Sequence, residues 1–270
     1  MSDKFIDIEK VIGEKNPSLL KWMPGFIIRY IKRIIHQQEV NEVIRDFSNL
    51  NGVDFANAVL NRFNIKVDIH GIENIPKEGG VVFAGNHPFG GIEALAHVKA
   101  IQPIRPDIKF LVNDILLNLK NLNQLFVGIN KHGATPADSV KQMNELFGSG
   151  HAVFIYPAGL VSRRTKGVVK DLQWKKTFIT RAKRFKSQVV PVYTGGAQLS
   201  NFFYNLSNFR KGLGIKANLE MFYLVDEMMK QKNSTFNIVF GKPIDPTTFD
   251  RSKSDQDWAE WMKEKVYKLQ

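Results

Sequence analysis

A histidine and a glutamate six residues apart have the residue types and spacing for acid–base chemistry. The apolar run VVFAG at residues 81–85 predicts a short buried strand, and PFGG at residues 88–91 predicts a turn before a helix. His87 therefore falls at a strand end, where a ring with a pKa near neutrality is suited to take a proton. Glu93 falls in the first turn of the following helix. We interpret His87 as a general base and Glu93 as the carboxylate that fixes its tautomer and stabilises its charged form.

An alternative interpretation is that His87 only hydrogen-bonds the backbone of a tight turn, and an isolated His-x5-Glu pattern favours that alternative. The surrounding residues favour the base. The segment resembles the histidine–acid motif of the glycerolipid acyltransferases, the family of bacterial lysophosphatidate acyltransferases, whose usual form is Asn-His-x4-Asp. Asn86 and His87 match directly, whereas the acid comes one position later and is Glu93. This spacing is similar to His-Pro-x-Gly-Gly-x-Asp, typical of the branch that acylates lyso forms of amino-acid lipids. The resemblance implies catalytic roles for His87 and Glu93 and a place for Asn86 among the substrate-binding residues.

A second loop, YPAGLVSRR at residues 156–164, follows the strand predicted at His151 to Tyr156 and should open at the same sheet edge. It resembles the family's Phe-Pro-Glu-Gly-Thr-Arg-Ser: the proline and Gly159 match, alanine replaces the glutamate, and the arginines come later. Arginine suits fork-like recognition of phosphate or carboxylate. The resemblance implies headgroup binding by Arg163 first and Arg164 second, with Gly159 in the same substrate-binding loop. The alternative for the arginine pair is an ordinary solvated basic loop.

Two further segments complete the resemblance, which spans about residues 80–195. Val189 to Val192 resembles an apolar strand beside the family's active site. Lys131 lies where the family often has an arginine after an apolar strand, which implies a secondary anion contact. The family's chemistry implies no cofactor, with acyl carrier protein or coenzyme A thioester as co-substrate. A metal site is not expected, because the histidines form no His-Glu-x-x-His pair and have no third ligand at a suitable distance.

Charge and cysteine content narrow the function classes. The 270 residues have a net charge of +12, which favours an anionic partner such as a phosphorylated substrate, an acidic carrier protein, anionic lipid or nucleic acid. The absence of cysteine excludes a disulfide framework, a thiol nucleophile and cysteine-type zinc sites. The basic run from Arg181 to Lys186 would suit nucleic acid, but no nucleic-acid-binding motif accompanies it. We expect a solvated helix face or a carrier-docking patch there, and no nucleic-acid partner.

The N-terminal part of the chain has a basic amphipathic pattern. Residues 19–36 predict one helix with an apolar face of isoleucines and aromatics and a basic face of Arg29, Lys32, Arg33 and His36. Such a helix can lie in a membrane interface or pack on the protein surface, and the pattern alone does not choose. The family resemblance favours the membrane.

The remaining pattern alternates strands and helices, among them a helix at Leu172 to Phe185 and a strand at Val189 to Tyr193. We therefore predict an α/β fold with a layered mixed sheet flanked by helices and an N-terminal amphipathic helical extension. The expected domains are a membrane-association region at residues 1–64 and an acyltransferase domain at residues 65–270.

The expected function is O-acyl transfer from acyl carrier protein or coenzyme A to the hydroxyl of a lysolipid such as 1-acylglycerol-3-phosphate, in membrane lipid biosynthesis. Two alternatives stay open: acylation of a lyso-amino-acid lipid of the ornithine or glycine type, and a non-catalytic lipid- or nucleic-acid-binding module. No signal peptide and no apolar window of about 18–20 residues occur, so we expect a cytoplasmic protein, peripheral on the inner face of the cell membrane.

Overall fold

The chain folds into two compact units, one made of helices and one built around a sheet. The computed structural model describes residues 6–113, 116–117, 119–128 and 136–270. The helical unit comprises Met1–Leu50 and Leu199–Lys232, and the sheet unit comprises Asn51–Gln198 and Asn233–Gln270. Each unit therefore combines segments that are distant in sequence.

Both units contain helices. In the helical unit they are α1 (Ile8–Lys15), α2 (Pro17–Trp22), α3 (Gly25–Ile34), α4 (Gln37–Asp46), α9 (Asn201–Gly212) and α10 (Leu224–Met229), with a 3₁₀ turn at Leu219–Tyr223. In the sheet unit they are α5 (Gly52–Arg62), α6 (Gly91–Ile101), α7 (Pro136–Gly148), α8 (Thr177–Phe185) and α11 (Asp255–Tyr267), with 3₁₀ turns at Ile72–Asn74, Lys120–Leu122 and Pro246–Thr248.

A seven-stranded mixed sheet, within the described ranges, forms the centre of the sheet unit. Its strands are β1 (Lys66–His70), β2 (Val81–Gly85), β3 (Lys109–Val112), β4 (Phe126–Gly128), β5 (Ala152–Ile155), β8 (Gln188–Gly195) and β9 (Thr235–Phe240). Their order across the sheet is β1-β9-β8-β2-β5-β3-β4, with β8 and β9 antiparallel and the other neighbours parallel. The predicted fold class, an α/β fold with a mixed sheet flanked by helices and helices at the N-terminus, is confirmed.

Strand β2 is apolar along its whole length because both of its faces are covered. All five of its residues are buried, as expected for a central parallel strand. The ring of Phe83 stacks on that of Phe154 at 6.2 Å between centroids, which joins β2 to β5. β2 runs parallel to both β5 and β8, so the carboxyl ends of these three strands open at one edge of the sheet. Loops at such an edge are where α/β proteins place ligand sites.

The N-terminal helix predicted over residues 19–36 is interrupted at Pro24. α2 ends at Trp22 and α3 begins at Gly25, because a proline disfavours helical backbone at the preceding Met23 and lacks the N–H that a continuing helix needs. Its apolar face is also divided: Ile34 is buried in the helical unit, whereas Phe26 and Tyr30 are exposed.

The domain boundary predicted between residues 64 and 65 differs from the division into compact units. α5 groups with the sheet unit because Phe55, Ala56 and Leu60 on its inner face are buried there. The second half of the helical unit, from Leu199 to Lys232, was not foreseen from the sequence. The membrane role given to residues 1–64 stays a prediction.

The helix predicted from Leu172 begins only at Thr177, which is a correction to the sequence analysis. The backbone of Trp174 is bound to α11 instead: its N–H donates to Glu260 at 2.9 Å, and its carbonyl accepts from Gln256 at 2.7 Å. Before Trp174 the chain forms the antiparallel hairpin of β6 (Arg163–Thr165) and β7 (Val168–Lys170), which begins within the loop predicted at residues 156–164. Across the described residues, no helix combines the length and apolar character needed to cross a bilayer.

Candidate active site

The turn between β2 and α6 carries the predicted catalytic pair at the open edge of the sheet. β2 ends at Gly85 and α6 begins at Gly91, so the turn comprises residues 86–90. Gly90 has a φ of 85°, a left-handed conformation that glycine adopts at little cost. The chain can therefore reverse sharply, which brings the first turn of α6 back against the strand end.

His87 and Glu93 meet across this turn. The Nδ1 atom of His87 hydrogen-bonds Oε1 of Glu93, and the backbone N–H of Phe89 donates to Oε2 at 2.6 Å. An ionised carboxylate only accepts, so Nδ1 carries the proton and Nε2 presents a lone pair when the ring is neutral. The side chain of Glu93 is fully buried, whereas that of His87 is 18% exposed. Among the described residues Nε2 has no hydrogen-bond partner, so it is the atom through which the ring can take a proton from a ligand.

The carboxylate raises the proton affinity of the ring. Burial lowers the pKa of His87, but the charge and hydrogen bond of Glu93 outweigh it, so this pKa is raised above the ordinary 6.5. Asp171 adds to the increase and Arg163 opposes it. Burial raises the pKa of Glu93, against the opposing effects of His87 and the Phe89 N–H. His87 is thus poised to bind a proton, as a general base must.

A hydrogen-bonded series of side chains, Tyr156, His97 and Thr194, begins at one face of the His87 ring. The Tyr156 ring stacks on it at 4.2 Å between centroids. The hydroxyl of Tyr156 lies 2.9 Å from Nδ1 of His97, whose Nε2 lies 2.8 Å from the hydroxyl of Thr194. Burial and the nearby His87 lower the pKa of His97 to about 3, so His97 is neutral at physiological pH. A neutral imidazole supplies one donor and one acceptor, which suits it to link the two hydroxyls.

Asn86 joins the turn to β8 through two hydrogen bonds. Its Nδ2 donates to the carbonyl of Thr194 at 2.8 Å, and its Oδ1 accepts the Thr194 N–H at 2.7 Å. The side chain is buried. This geometry fixes the position of the residue that precedes His87, whereas the substrate contact implied for Asn86 stays a prediction.

Asp171 holds the turn from the opposite side. Its Oδ1 accepts the backbone N–H of His87 at 3.1 Å and the hydroxyl of Ser162 at 2.6 Å, and its Oδ2 accepts the indole N–H of Trp174 at 2.8 Å. The Ser162 N–H in turn donates to the His87 carbonyl at 2.7 Å. Both backbone polar groups of His87 are therefore fixed by partners more than 70 residues away in sequence.

The second predicted loop lies beside the turn, as expected, but its arginines differ in exposure. Arg163 is only 2% exposed, and its Nη1 donates to the carbonyls of Val161 and Ser162 at 2.5 and 3.4 Å. Arg164, on β6, is half-buried, and Gly159 is exposed with a φ of 67°. Headgroup binding by these residues stays a prediction, and Arg164 has the more accessible side chain.

One predicted site residue, Lys131, lies outside the described residues. Within the ranges that are described, no group of three histidine, aspartate or glutamate residues is placed to hold a metal ion. The structure adds Tyr156, His97, Thr194 and Asp171 to the site. Tyr156 had a sequence signal, since it ends the strand before Pro157, but Asp171 follows a hairpin that the sequence did not indicate.

The chain resembles known proteins over nearly its full length. A family model described as "Acyltransferase" matches residues 10–270. The chain is 46% identical over 266 residues to a lyso-glycine lipid O-acyltransferase of Bacteroides thetaiotaomicron, covering 98% of this chain and 97% of that protein. It is 43% identical over 266 residues to a protein of the same description from Phocaeicola vulgatus, covering 98% of this chain and 95% of that protein. The solved 1-acyl-sn-glycerophosphate (LPA) acyltransferase of Thermotoga maritima aligns over 92% of this chain and 98% of that chain, with 15% identity and a TM-score of 0.49.

The contacts of Asp171 generate a prediction about the rigidity of the turn. In Asp171→Asn an amide N–H₂ replaces one acceptor oxygen, so at least one of its three donors faces a donor. We expect the free energy of unfolding to fall by about 1–3 kcal/mol. The pKa of His87 should also fall, because a negative charge that raises it is lost. Denaturant unfolding and NMR titration of His87 measure the two effects. Asp68→Asn, an exposed change on β1, is the control, and equal behaviour of the two variants would contradict the assignment.

Proposed function

We propose that this chain, which belongs to the acyltransferase family, transfers a fatty acyl group from a thioester to the hydroxyl of a lyso-glycine lipid. The observation that supports this reaction is the geometry of the His87 ring. Its Nδ1 is hydrogen-bonded to Glu93, and its Nε2, on the opposite side of the ring, has no hydrogen-bond partner among the described residues. The acceptor is supported by the two relatives at 46% and 43% identity, which are described as lyso-glycine lipid O-acyltransferases. The acceptor that the sequence analysis expected first, 1-acylglycerol-3-phosphate, is tested beside lyso-glycine lipid in the activity assay described below.

The proposed reaction needs no acyl-enzyme. Nε2 of His87 takes the proton of the acceptor hydroxyl as the oxygen attacks the thioester carbonyl carbon. A tetrahedral oxyanion forms, its C–S bond breaks, and the departing thiolate receives the proton from the imidazolium. The products are the new ester and a free thiol. Glu93 stabilises the imidazolium between the two proton transfers and keeps Nε2 directed at the acceptor.

Charge supports the proposed donors and location. Coenzyme A carries phosphates and acyl carrier protein is acidic, and both complement a chain with a net charge of +12. Both donors are cytoplasmic, so we place the enzyme at the inner face of the cell membrane. On α3 the exposed Phe26 and Tyr30 lie beside Arg29 and Arg33, around a cavity of about 430 Å³. This aromatic and basic combination suits the interface of an anionic bilayer.

Removing the proposed base should abolish transfer. We expect kcat to fall by about 10²- to 10⁴-fold in His87→Ala and in His87→Asn. His87→Ala also leaves the buried Glu93 with the Phe89 N–H alone, so it should lower the unfolding free energy, whereas the amide of His87→Asn can still donate to the carboxylate. Transfer of radiolabelled acyl groups to lyso-glycine lipid and 1-acylglycerol-3-phosphate, from both donors, measures activity. His70→Asn on the exposed edge of β1 is the control. Near-normal activity of His87→Asn would refute the assignment.

The Glu93 interaction predicts a pH shift. A base must be neutral, so kcat/KM should rise with pH through the pKa of His87, which lies above 6.5. Glu93→Gln removes the negative charge that raises the pKa of His87, so the effect of burial, which lowers this pKa, then dominates. The acid limb of the pH profile should therefore move to lower pH. The plateau rate should fall, because the imidazolium is no longer stabilised by a carboxylate. The pH profile of kcat/KM tests both effects, with the exposed Glu73→Gln as control. An acid limb that stays in place would show that Glu93 does not set the protonation of the base.

Arg164 provides a test of the acceptor. A glycine headgroup ends in a carboxylate, which an arginine can bind through paired hydrogen bonds. Loss of such a bond costs about 1.5–3 kcal/mol, or roughly 10- to 100-fold in affinity. Arg164→Gln should therefore raise KM for lyso-glycine lipid by about that factor with little change in KM for its methyl ester. Lys166→Gln, exposed on the same hairpin, is the control. An equal change in KM for acid and ester would remove Arg164 from headgroup recognition.

A further inference from the structure

The second segment of the helical unit carries a group of exposed apolar side chains that the catalytic chemistry does not use. Phe202 and Phe209 are exposed on α9. Residues 211–219, which include the last two residues of α9 and the segment after it, are also all exposed, and we call them the exposed loop. Phe209 is 66% exposed, Leu213 60% and Phe222 66%, with Ile215 and Leu219 also exposed. Exposed apolar residues concentrated in one segment mark an interaction site more often than scattered single residues do.

The exposed loop is ordered despite its exposure. Arg210 is buried and binds Glu220 through two hydrogen bonds of 2.6 and 2.9 Å, across the ends of the loop. It also donates to the carbonyl of Ile215 at 3.0 Å and to the side chain of Asn218. Gly214, with a φ of 71°, lies just after the C-cap of α9, and the Ile215 N–H donates to the carbonyl of Arg210 at 3.0 Å. A buried ion pair thus fixes a loop whose apolar side chains point into solvent.

The same surface continues toward α3. Phe209 follows Phe202 by seven residues, which places both on one stripe of α9, and Leu213, the C-cap eleven residues after Phe202, continues that stripe. The Phe202 ring contacts that of Tyr223 at 4.9 Å between centroids, and the Tyr223 hydroxyl lies 2.6 Å from that of Tyr30 on α3. Tyr223 therefore links Tyr30 of α3 to Phe202 of α9 within the helical unit.

The charge around this surface identifies its partner. From Leu199 to Glu220 the chain contains three basic residues, Arg210, Lys211 and Lys216, and one acidic residue, Glu220, which pairs with the buried Arg210. Lys211 and Lys216 are exposed at the loop, next to its apolar side chains. Apolar groups flanked by cations complement a bilayer, where anionic headgroups surround an apolar interior. An acidic protein would match the cations but leave the protruding apolar side chains without this complement.

We propose that the exposed loop, together with the stripe of α9, inserts into the interface of an anionic membrane as a second contact beside α3. Leu213 and Ile215 enter the headgroup and acyl boundary, and Lys211 and Lys216 bind the anionic headgroups. Because the Arg210 ion pair orders the loop beforehand, insertion requires little further ordering of the chain. This inference extends the proposed membrane association and is independent of acyl transfer.

Binding of the full chain to vesicles tests the inference without any activity measurement. Sedimentation with phosphatidylcholine vesicles, with and without phosphatidylglycerol, gives the partition coefficient. We expect Leu213→Asp with Ile215→Asp to lower partition onto anionic vesicles by about tenfold or more, and Lys211→Gln with Lys216→Gln to remove most of the preference for phosphatidylglycerol. Ile72→Asp, a matched exposed change in the sheet unit, should bind as the unmodified chain does.

Three outcomes would overturn the proposal. Unchanged vesicle binding by the loop variants, with binding lost in Phe26→Asp, would assign the membrane to α3 alone and leave the proposed acyl transfer intact. Loss of binding together with a lower thermal unfolding midpoint would mean that the loop acts only through the fold. A change in molar mass by light scattering, with vesicle binding unaltered, would assign the loop to contact between copies of the chain.

Discussion

The burial of the Glu93 carboxylate is the constraint on which the rest of the site depends. A charge removed from water is costly unless it is paired and hydrogen-bonded. Both of its partners, the His87 ring and the Phe89 N–H, belong to the turn that α6 faces. The carboxylate therefore dictates the shape of this turn, and the shape of the turn determines where Nε2 of His87 points. The contacts of Asn86 and Asp171 keep the same turn fixed to β8 and to the loop before α8.

Local patterns in the sequence were sufficient to predict the α/β fold, the strand β2 and the contact between His87 and Glu93. The apolar run and the turn residues have physical effects within a few positions, and a separation of six residues spans a single turn. The start of α8 could not be predicted in this way. Residues 172–176 have helical character in isolation, but Trp174 binds α11, which lies more than 80 residues later. Such a contact overrides local propensity and leaves no trace in the local pattern.

The residues that support the catalytic pair could not be predicted from the sequence, for the same reason. Asp171 and His97 act through partners that the fold brings together from distant segments, and a lone aspartate after a short hairpin has no distinguishing spacing. His97 is the clearer case, since it belongs to no histidine motif of the sequence. In the structure it is a neutral, fully buried link between two hydroxyls. Side-chain roles of this kind depend on tertiary contacts as well as on residue type, and only the residue type is visible in the sequence.

The ordered apolar loop of the helical unit has a consequence for the protein in aqueous solution. Side chains such as Phe209 and Leu213 remain exposed when no bilayer covers them, and two molecules can then adhere through them. The net charge of +12 opposes this contact by mutual repulsion. Salt screens that repulsion, with a Debye length of about 8 Å at physiological ionic strength, but does not weaken apolar attraction. The colloidal stability of the protein thus falls as ionic strength rises, and low salt or detergent keeps the molecules apart.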